Sequence, residues 1–118
     1  MKDENIKIWH NPRCSKSRAS FALLDEKNID AEVIKYLDTP PTEDELKALL
    51  VMLGMQPKEL MRTKEDIYKE LNLKDEDDNA TLIQAMVKNP KLIERPIVIR
   101  GDKAVIGRPI ENVVELLG

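Results

Sequence analysis

Ile6-Lys7-Ile8-Trp9-His10-Asn11-Pro12-Arg13-Cys14-Ser15-Lys16-Ser17-Arg18 is the stretch from which the remaining fold can be read. Ile6-Lys7-Ile8-Trp9 alternates with the period of a strand, and His10-Asn11-Pro12 ends it, because proline lacks an amide donor and restricts the residue before it. Residues 15–27 hold no Gly or Pro and bring Ala19, Ala22 and Leu23 to one helical face, with Asn28 as the C-terminal stop. Val33-Ile34-Lys35-Tyr36-Leu37 then reads as a second strand. The opening is thus a β-α-β unit, and since such crossovers are almost always right-handed, its strands are expected to be parallel neighbours.

Further along, Thr42-Glu43-Asp44-Glu45 has the form of a capping box, followed at helical spacing by Leu46, Leu49, Leu50 and Leu53 before Gly54 closes the run. At least two more helical patterns are expected within residues 57–89, one around residues 57–62 and one around 80–88, separated by the acidic run Lys74-Asp75-Glu76-Asp77-Asp78, which reads as a solvated loop with a helix cap. The period then changes. Ile97-Val98-Ile99 and Ala104-Val105-Ile106 are short β-branched runs joined by the hairpin signal Arg100-Gly101-Asp102-Lys103. A last helix is expected near Pro109, with Ile110, Val113, Val114 and Leu117 as its apolar stripe. The order predicts an α/β domain spanning residues 1–118, a mixed four-stranded sheet carrying a helical insertion over about residues 42–90.

Composition narrows the function. A chain of 118 residues, 42% hydrophobic and 35% charged, suits one compact domain. Its apolar runs fall far short of the roughly 20 residues of a membrane helix, and Met1-Lys2-Asp3-Glu4-Asn5 is unlike a signal peptide, so a cytoplasmic protein without a membrane partner is expected. A net charge of −3 and only 3% aromatic residues argue against nucleic acid. With one Cys and one His and no CxxC or HxxxH spacing, no metal site and no bound cofactor are expected. The apolar positions are consumed by the predicted core faces, so a monomer is expected.

The chemistry centres on Cys14, which enters a helix where unpaired amides and the helix dipole stabilise a thiolate. Ser17 is placed to turn its hydroxyl toward the sulfur, His10 lies four residues before it, and Arg13, Lys16 and Arg18 add positive charge nearby, each expected to lower the thiol pKa by favouring the charged form. A helix N-terminus also binds anions, so a tetrahedral oxyanion suits the same place. Of the six arginines, Arg62, Arg95 and Arg108 lie far from Cys14 in sequence, and the last two each precede a proline, which aims the side chain. Guanidinium forks match arsenate, phosphate or sulfate oxygens.

Four separated segments, His10-Asn11-Pro12-Arg13-Cys14-Ser15-Lys16-Ser17-Arg18, Glu59-Leu60-Met61-Arg62, Asn89-Pro90-Lys91-Leu92-Ile93-Glu94-Arg95-Pro96-Ile97-Val98 and Gly107-Arg108-Pro109, occur in an order that resembles the ArsC-type, glutaredoxin-coupled arsenate reductases, in particular their shorter YfgD-like branch. The resemblance covers nearly the whole chain. It implies a thioredoxin-like fold with a helical insertion, Cys14 as nucleophile, Arg62, Arg95 and Arg108 as oxyanion ligands, His10 and Ser17 as residues that hold the thiolate, and Pro96 as the cis-proline. It further implies arsenate as substrate, glutathione as co-substrate and glutaredoxin as partner. The single cysteine agrees, because the chain has no second thiol to resolve an adduct.

Three other readings share parts of this pattern. A low-molecular-weight phosphatase loop needs Arg six positions after its cysteine, where this chain has Ser20. An Spx-like RNA polymerase-binding module shares the Asn-Pro-x-Cys opening but carries a CxxC switch whose second position is here Ser17. YffB-like relatives keep the fold and the thiol chemistry as glutathione-dependent thiol reductases; the three matched arginines favour an oxyanion instead.

Overall fold

The computed structural model describes residues 6–117. Its elements run β1 (Ile6–Trp9), α1 (Ser15–Glu26), β2 (Glu32–Ile34), α2 (Glu43–Leu53), α3 (Asp66–Glu70), α4 (Asn79–Lys88), β3 (Ile97–Arg100), β4 (Lys103–Ile106) and α5 (Glu111–Leu117), with 3-10 turns at Pro57–Leu60, Leu73–Asp75 and Pro90–Leu92. They fall into two compact units, one built from the described residues up to Thr39 with those from Arg95 onward, the other from Pro40–Glu94.

The first unit holds a mixed sheet of order β2-β1-β3-β4, in which β1 pairs parallel with β2 and antiparallel with β3, and β3 pairs antiparallel with β4. Because side chains alternate along a strand, Ile6 and Ile8 share a face with Val98, and Leu24 of α1 and Val113 of α5 cover them. Ile8, Leu24, Val98 and Val113 are all but fully buried, which contributes about 1.5–3 kcal/mol for each side chain. The β3–β4 hairpin turns through Gly101, whose φ of +61° is cheap only for glycine.

Several expectations need correction here. The inward face of α1 is Ser17, Ser20 and Leu24, while Ala19 and Ala22 are exposed; the two serines are small enough for a crowded site described below. The second strand stops at Ile34, because the Lys35 carbonyl accepts the N–H groups of Asp38 and Thr39 in a turn. Tyr36 lies beyond the strand and is buried with its ring stacked on Trp9, ring centroids 6.1 Å apart. At the far end, Pro109 is not the first helical residue: the Arg108–Pro109 peptide is cis and α5 starts at Glu111, leaving Val114 exposed and Leu116 and Leu117 against the core.

In the second unit, α2 begins with a complete capping box in which Thr42 Oγ1 accepts from the Glu45 N–H and Glu45 Oε1 accepts from the Thr42 N–H, and it ends at Gly54 with φ +67°. Leu46, Leu49 and Leu50 are buried, and α2 packs on α4. Asp78 caps α4 by accepting from the Thr81 N–H. Lys58 Nζ donates to the Lys74 and Glu76 carbonyls, which tethers the acidic loop. Residues 57–62 form only a 3-10 turn, because Met61 is extended and bridges antiparallel to Ile93. The short helix α3, which buries Tyr68, was not expected from the sequence.

Candidate active site

The loop after β1 is shaped by Asn11. The His10 N–H donates to the Ile34 carbonyl at 2.8 Å, which holds the loop beside the end of β2. Asn11 Oδ1 then accepts the Arg13 N–H at 3.0 Å, and its carbonyl accepts the Cys14 N–H at 3.0 Å, so the side chain and the main chain of one residue fold the turn that delivers Cys14 to the helix. Arg18 Nη1 donates to the Pro12 carbonyl at 3.1 Å and ties the first turn of α1 back to the loop.

Cys14 is the N-cap residue of α1, with φ −96° and ψ 124°, and is buried. Burial by itself pushes its thiol up, yet the balance is downward, from an ordinary 9.0 to about 7: the backbone N–H groups of Ser17 and Lys16 act on the charged sulfur, and the Arg95 guanidinium adds its charge and a hydrogen bond. Arg108 supplies a second guanidinium, with Nη2 3.7 Å from Sγ.

His10 and Ser17 contact each other beside the cysteine loop. The Ser17 hydroxyl is 2.7 Å from His10 Nδ1 and accepts the Asn11 N–H at 2.9 Å, so it is Ser17's amide, not its hydroxyl, that acts on the sulfur. The Asn11 amide leaves the hydroxyl proton available to Nδ1, which suits a neutral ring protonated on Nε2. Burial, with the charges of Lys35 and Arg18, pushes the His10 pKa below its ordinary 6.5. The shift favours the neutral ring, and with Phe21 stacked on it, centroids 5.3 Å apart, His10 braces the loop.

Arg95 and Arg108 are set by the segments that carry them. The Arg95–Pro96 peptide is cis, as is Arg108–Pro109. The Gly107 N–H donates to the Pro96 carbonyl at 2.8 Å, which joins the two segments, and Arg108 Nε donates to the Arg95 carbonyl at 2.9 Å. Asn112 of α5 donates from Nδ2 to the Arg108 carbonyl at 3.3 Å. Gly107 is required here, since a Cβ would lie 2.6 Å from Ser20 Oγ and 2.8 Å from Pro96 Cγ.

Arg62 belongs to the second unit, where its Nε donates to Glu65 Oε2 and its Nη1 to Glu94 Oε1, each at 3.2 Å. Asn11, Glu65, Glu94, Gly107 and Asn112 are the supporting residues that motif reading passed over; the Asn-Pro and Gly-Arg-Pro contexts were the available signals for two of them. Among the described residues there is no cluster of three or more His, Cys, Asp or Glu that could hold a metal ion, and no helix is long and apolar enough to cross a membrane.

The ArsC family profile matches residues 9–116. The chain is 56% identical over 117 residues to the protein YfgD of Escherichia coli (strain K12), covering 98% of each, and 53% identical over 114 residues to the arsenate reductase of Neisseria meningitidis, covering 95% of this chain and 97% of the other. Among solved structures, the arsenate reductase from Vibrio cholerae superposes with a TM-score of 0.91 at 49% identity, covering 98% of this chain and 97% of that one. The mixed four-stranded sheet with its helices is accordingly the thioredoxin-like fold of these proteins.

Proposed function

This chain belongs to the ArsC family, and from that membership we propose that it is an arsenate reductase that works through a Cys14 thiolate, with glutathione and glutaredoxin as external reductants. The observation that carries this reading is a buried cysteine at a helix N-terminus, its thiol lowered to about 7, with one guanidinium 3.7 Å from the sulfur and a second acting on it. At pH 7 such a thiol is roughly half ionised, against roughly one in a hundred for an ordinary thiol of pKa near 9.

The thiolate attacks arsenic, an As–S bond forms, and an arsenate oxygen leaves as water after protonation. Arg95 and Arg108 stabilise the thiolate beforehand and the oxyanion afterwards, because their N–H donors are fixed before substrate arrives. Arg62 is a further oxyanion-binding residue in this reading. Glutathione thiolate then attacks the adduct. Two sulfurs, one from Cys14 and one from glutathione, are oxidised to a mixed disulfide and give two electrons to arsenic, which leaves as arsenite. Glutaredoxin thiolate takes the glutathionyl group and returns Cys14 to its thiolate. A cytoplasmic location suits this scheme, since glutathione holds the poise there.

The test is arsenate-dependent NADPH oxidation in the presence of glutathione, glutaredoxin and glutathione reductase, comparing wild type with Cys14→Ser. Serine is a good N-cap residue, so the variant keeps its helix and isolates the chemistry. Activity in wild type that disappears in Cys14→Ser is expected. Turnover that survives the substitution, or a wild type inert toward arsenate under these conditions, would refute the reading.

A further inference from the structure

We infer that Glu65 and Glu94 are positioning residues that clamp the Arg62 guanidinium for oxyanion binding, an inference that rests on the oxyanion role given to Arg62 above. The backbone brings the three together. Met61 and Ile93 form an antiparallel bridge, the Arg62 N–H donates to the Leu92 carbonyl at 2.7 Å and the Glu94 N–H to the Leu60 carbonyl at 2.8 Å. Leu60, Met61, Leu92 and Ile93 are all buried, so the bridge is anchored in the core of its unit and the residues that follow on each side emerge from it as neighbours.

From that base Glu94 accepts from Nη1 and Glu65, three residues after Arg62, accepts from Nε, both at 3.2 Å. A guanidinium has five N–H donors in one plane, and two contacts at separate nitrogens fix that plane while leaving Nη2 wholly available to a ligand. All three side chains are partly exposed, at 19% for Arg62, 28% for Glu65 and 27% for Glu94, so the cluster is reachable by a small anion. The two carboxylates also offset the arginine charge. Arg62 then recognises an oxyanion by direction rather than by long-range attraction, and a loose arginine at this place would lose that direction.

The test reads arsenate binding separately from turnover. Reduced protein labelled with 15N is titrated with sodium arsenate, following the Arg62 Nε–H resonance, in wild type, Glu65→Ala, Glu94→Ala and the corresponding glutamine variants, and kcat and KM are measured for each. Wild type is expected to show a sharp Nε–H signal that moves on arsenate addition. Each alanine variant should broaden it and raise the arsenate Kd and KM about five- to tenfold. Glutamine, which keeps an acceptor oxygen, should restore binding to within about twofold. In an Arg62→Ala background the glutamate substitutions should cost nothing more. An arsenate titration that leaves the Arg62 signal unmoved, binding that is unchanged or tighter in the alanine variants, or an equal loss without Arg62 would each overturn the clamp. Arsenate that binds at Arg62 with the expected variant pattern but is not reduced would instead refute the reductase reading and leave the clamp standing.

Discussion

Arg108 places Nη2 3.7 Å from Cys14 Sγ, 94 positions away in the chain, while its Nε donates to the Arg95 carbonyl at 2.9 Å. The backbone tether fixes the guanidinium plane, so the contact with sulfur does not depend on substrate to order it. Lysine carries the same charge on one compact ammonium and has no second nitrogen in a rigid fork. Arg108→Lys is therefore expected to lower kcat/KM for arsenate at least about tenfold, by loss of a charge-assisted contact. Steady-state kinetics in the coupled assay decide it; a variant within twofold of wild type would show that charge alone suffices.

The thiol near 7 has a pH signature. As pH falls through about 7 the thiolate is protonated, so the rate of alkylation by iodoacetamide should fall with a midpoint there, and arsenate reduction should follow it. Arg95→Ala removes a group that favours the charged form, moves the midpoint upward and slows alkylation at pH 7. Folding stability has the same sign: the folded pKa lies below the ordinary 9.0, so the contribution is complete above that value and is lost as pH falls through about 7. A wild-type midpoint near the ordinary value would contradict this account.

Ser17 separates two roles that the sequence alone had merged. Its hydroxyl partners His10 Nδ1 and the Asn11 N–H, both buried, whereas its amide acts on the sulfur. Ser17→Ala is expected to destabilise the protein by about 1–3 kcal/mol through those two orphaned groups, read by urea denaturation. The alkylation midpoint of Cys14 should stay close to about 7, because the amide remains. A large upward move of the midpoint with little change in stability would reverse these assignments.

What could be read from the sequence follows the range of the interactions that set it. The strand Ile6–Trp9, the capping box at Thr42 and the hairpin at Gly101 are decided within a few residues, and the structure has them where expected. The buried face of α1 was misread because Ser17 and Ser20 are polar by composition, and only the loop contacts of one and the crowding at the other explain their burial. Strand β2 reads longer from sequence because Tyr36 suits a strand by propensity, although it lies in the turn beyond the strand with its ring stacked on Trp9. In the site, Cys14 and the arginines stood out as motif residues. The neutral state of His10 and the Arg62–Glu94 pair did not, since the first depends on burial and surrounding charge and the second joins residues 32 apart in the chain.

Gly107 shows how closely the two arginine segments are packed. A methyl group there would meet Ser20 Oγ at 2.6 Å, Pro96 Cγ at 2.8 Å and Val113 Cγ2 at 3.3 Å, and the proline ring is not a flexible side-chain end that swings away. Gly107→Ala is expected to cost about 1–3 kcal/mol by overpacking. The strain has a direction, because the Gly107 N–H holds the Pro96 carbonyl at 2.8 Å and the next residue is Arg108. Separating the segments should weaken the Arg108 tether on the Arg95 carbonyl and withdraw Nη2 from Cys14. The expected result is a lower urea midpoint together with a fall in kcat/KM for arsenate, measured at a temperature where the variant is fully folded. Adding Ser20→Gly removes one of the three obstructing atoms and leaves Pro96, so it should recover part of the stability at most. Full activity and unchanged stability in Gly107→Ala would show that the backbone can shift there at no cost, and that the closeness of Pro96 to Gly107 does not hold the arginines in place.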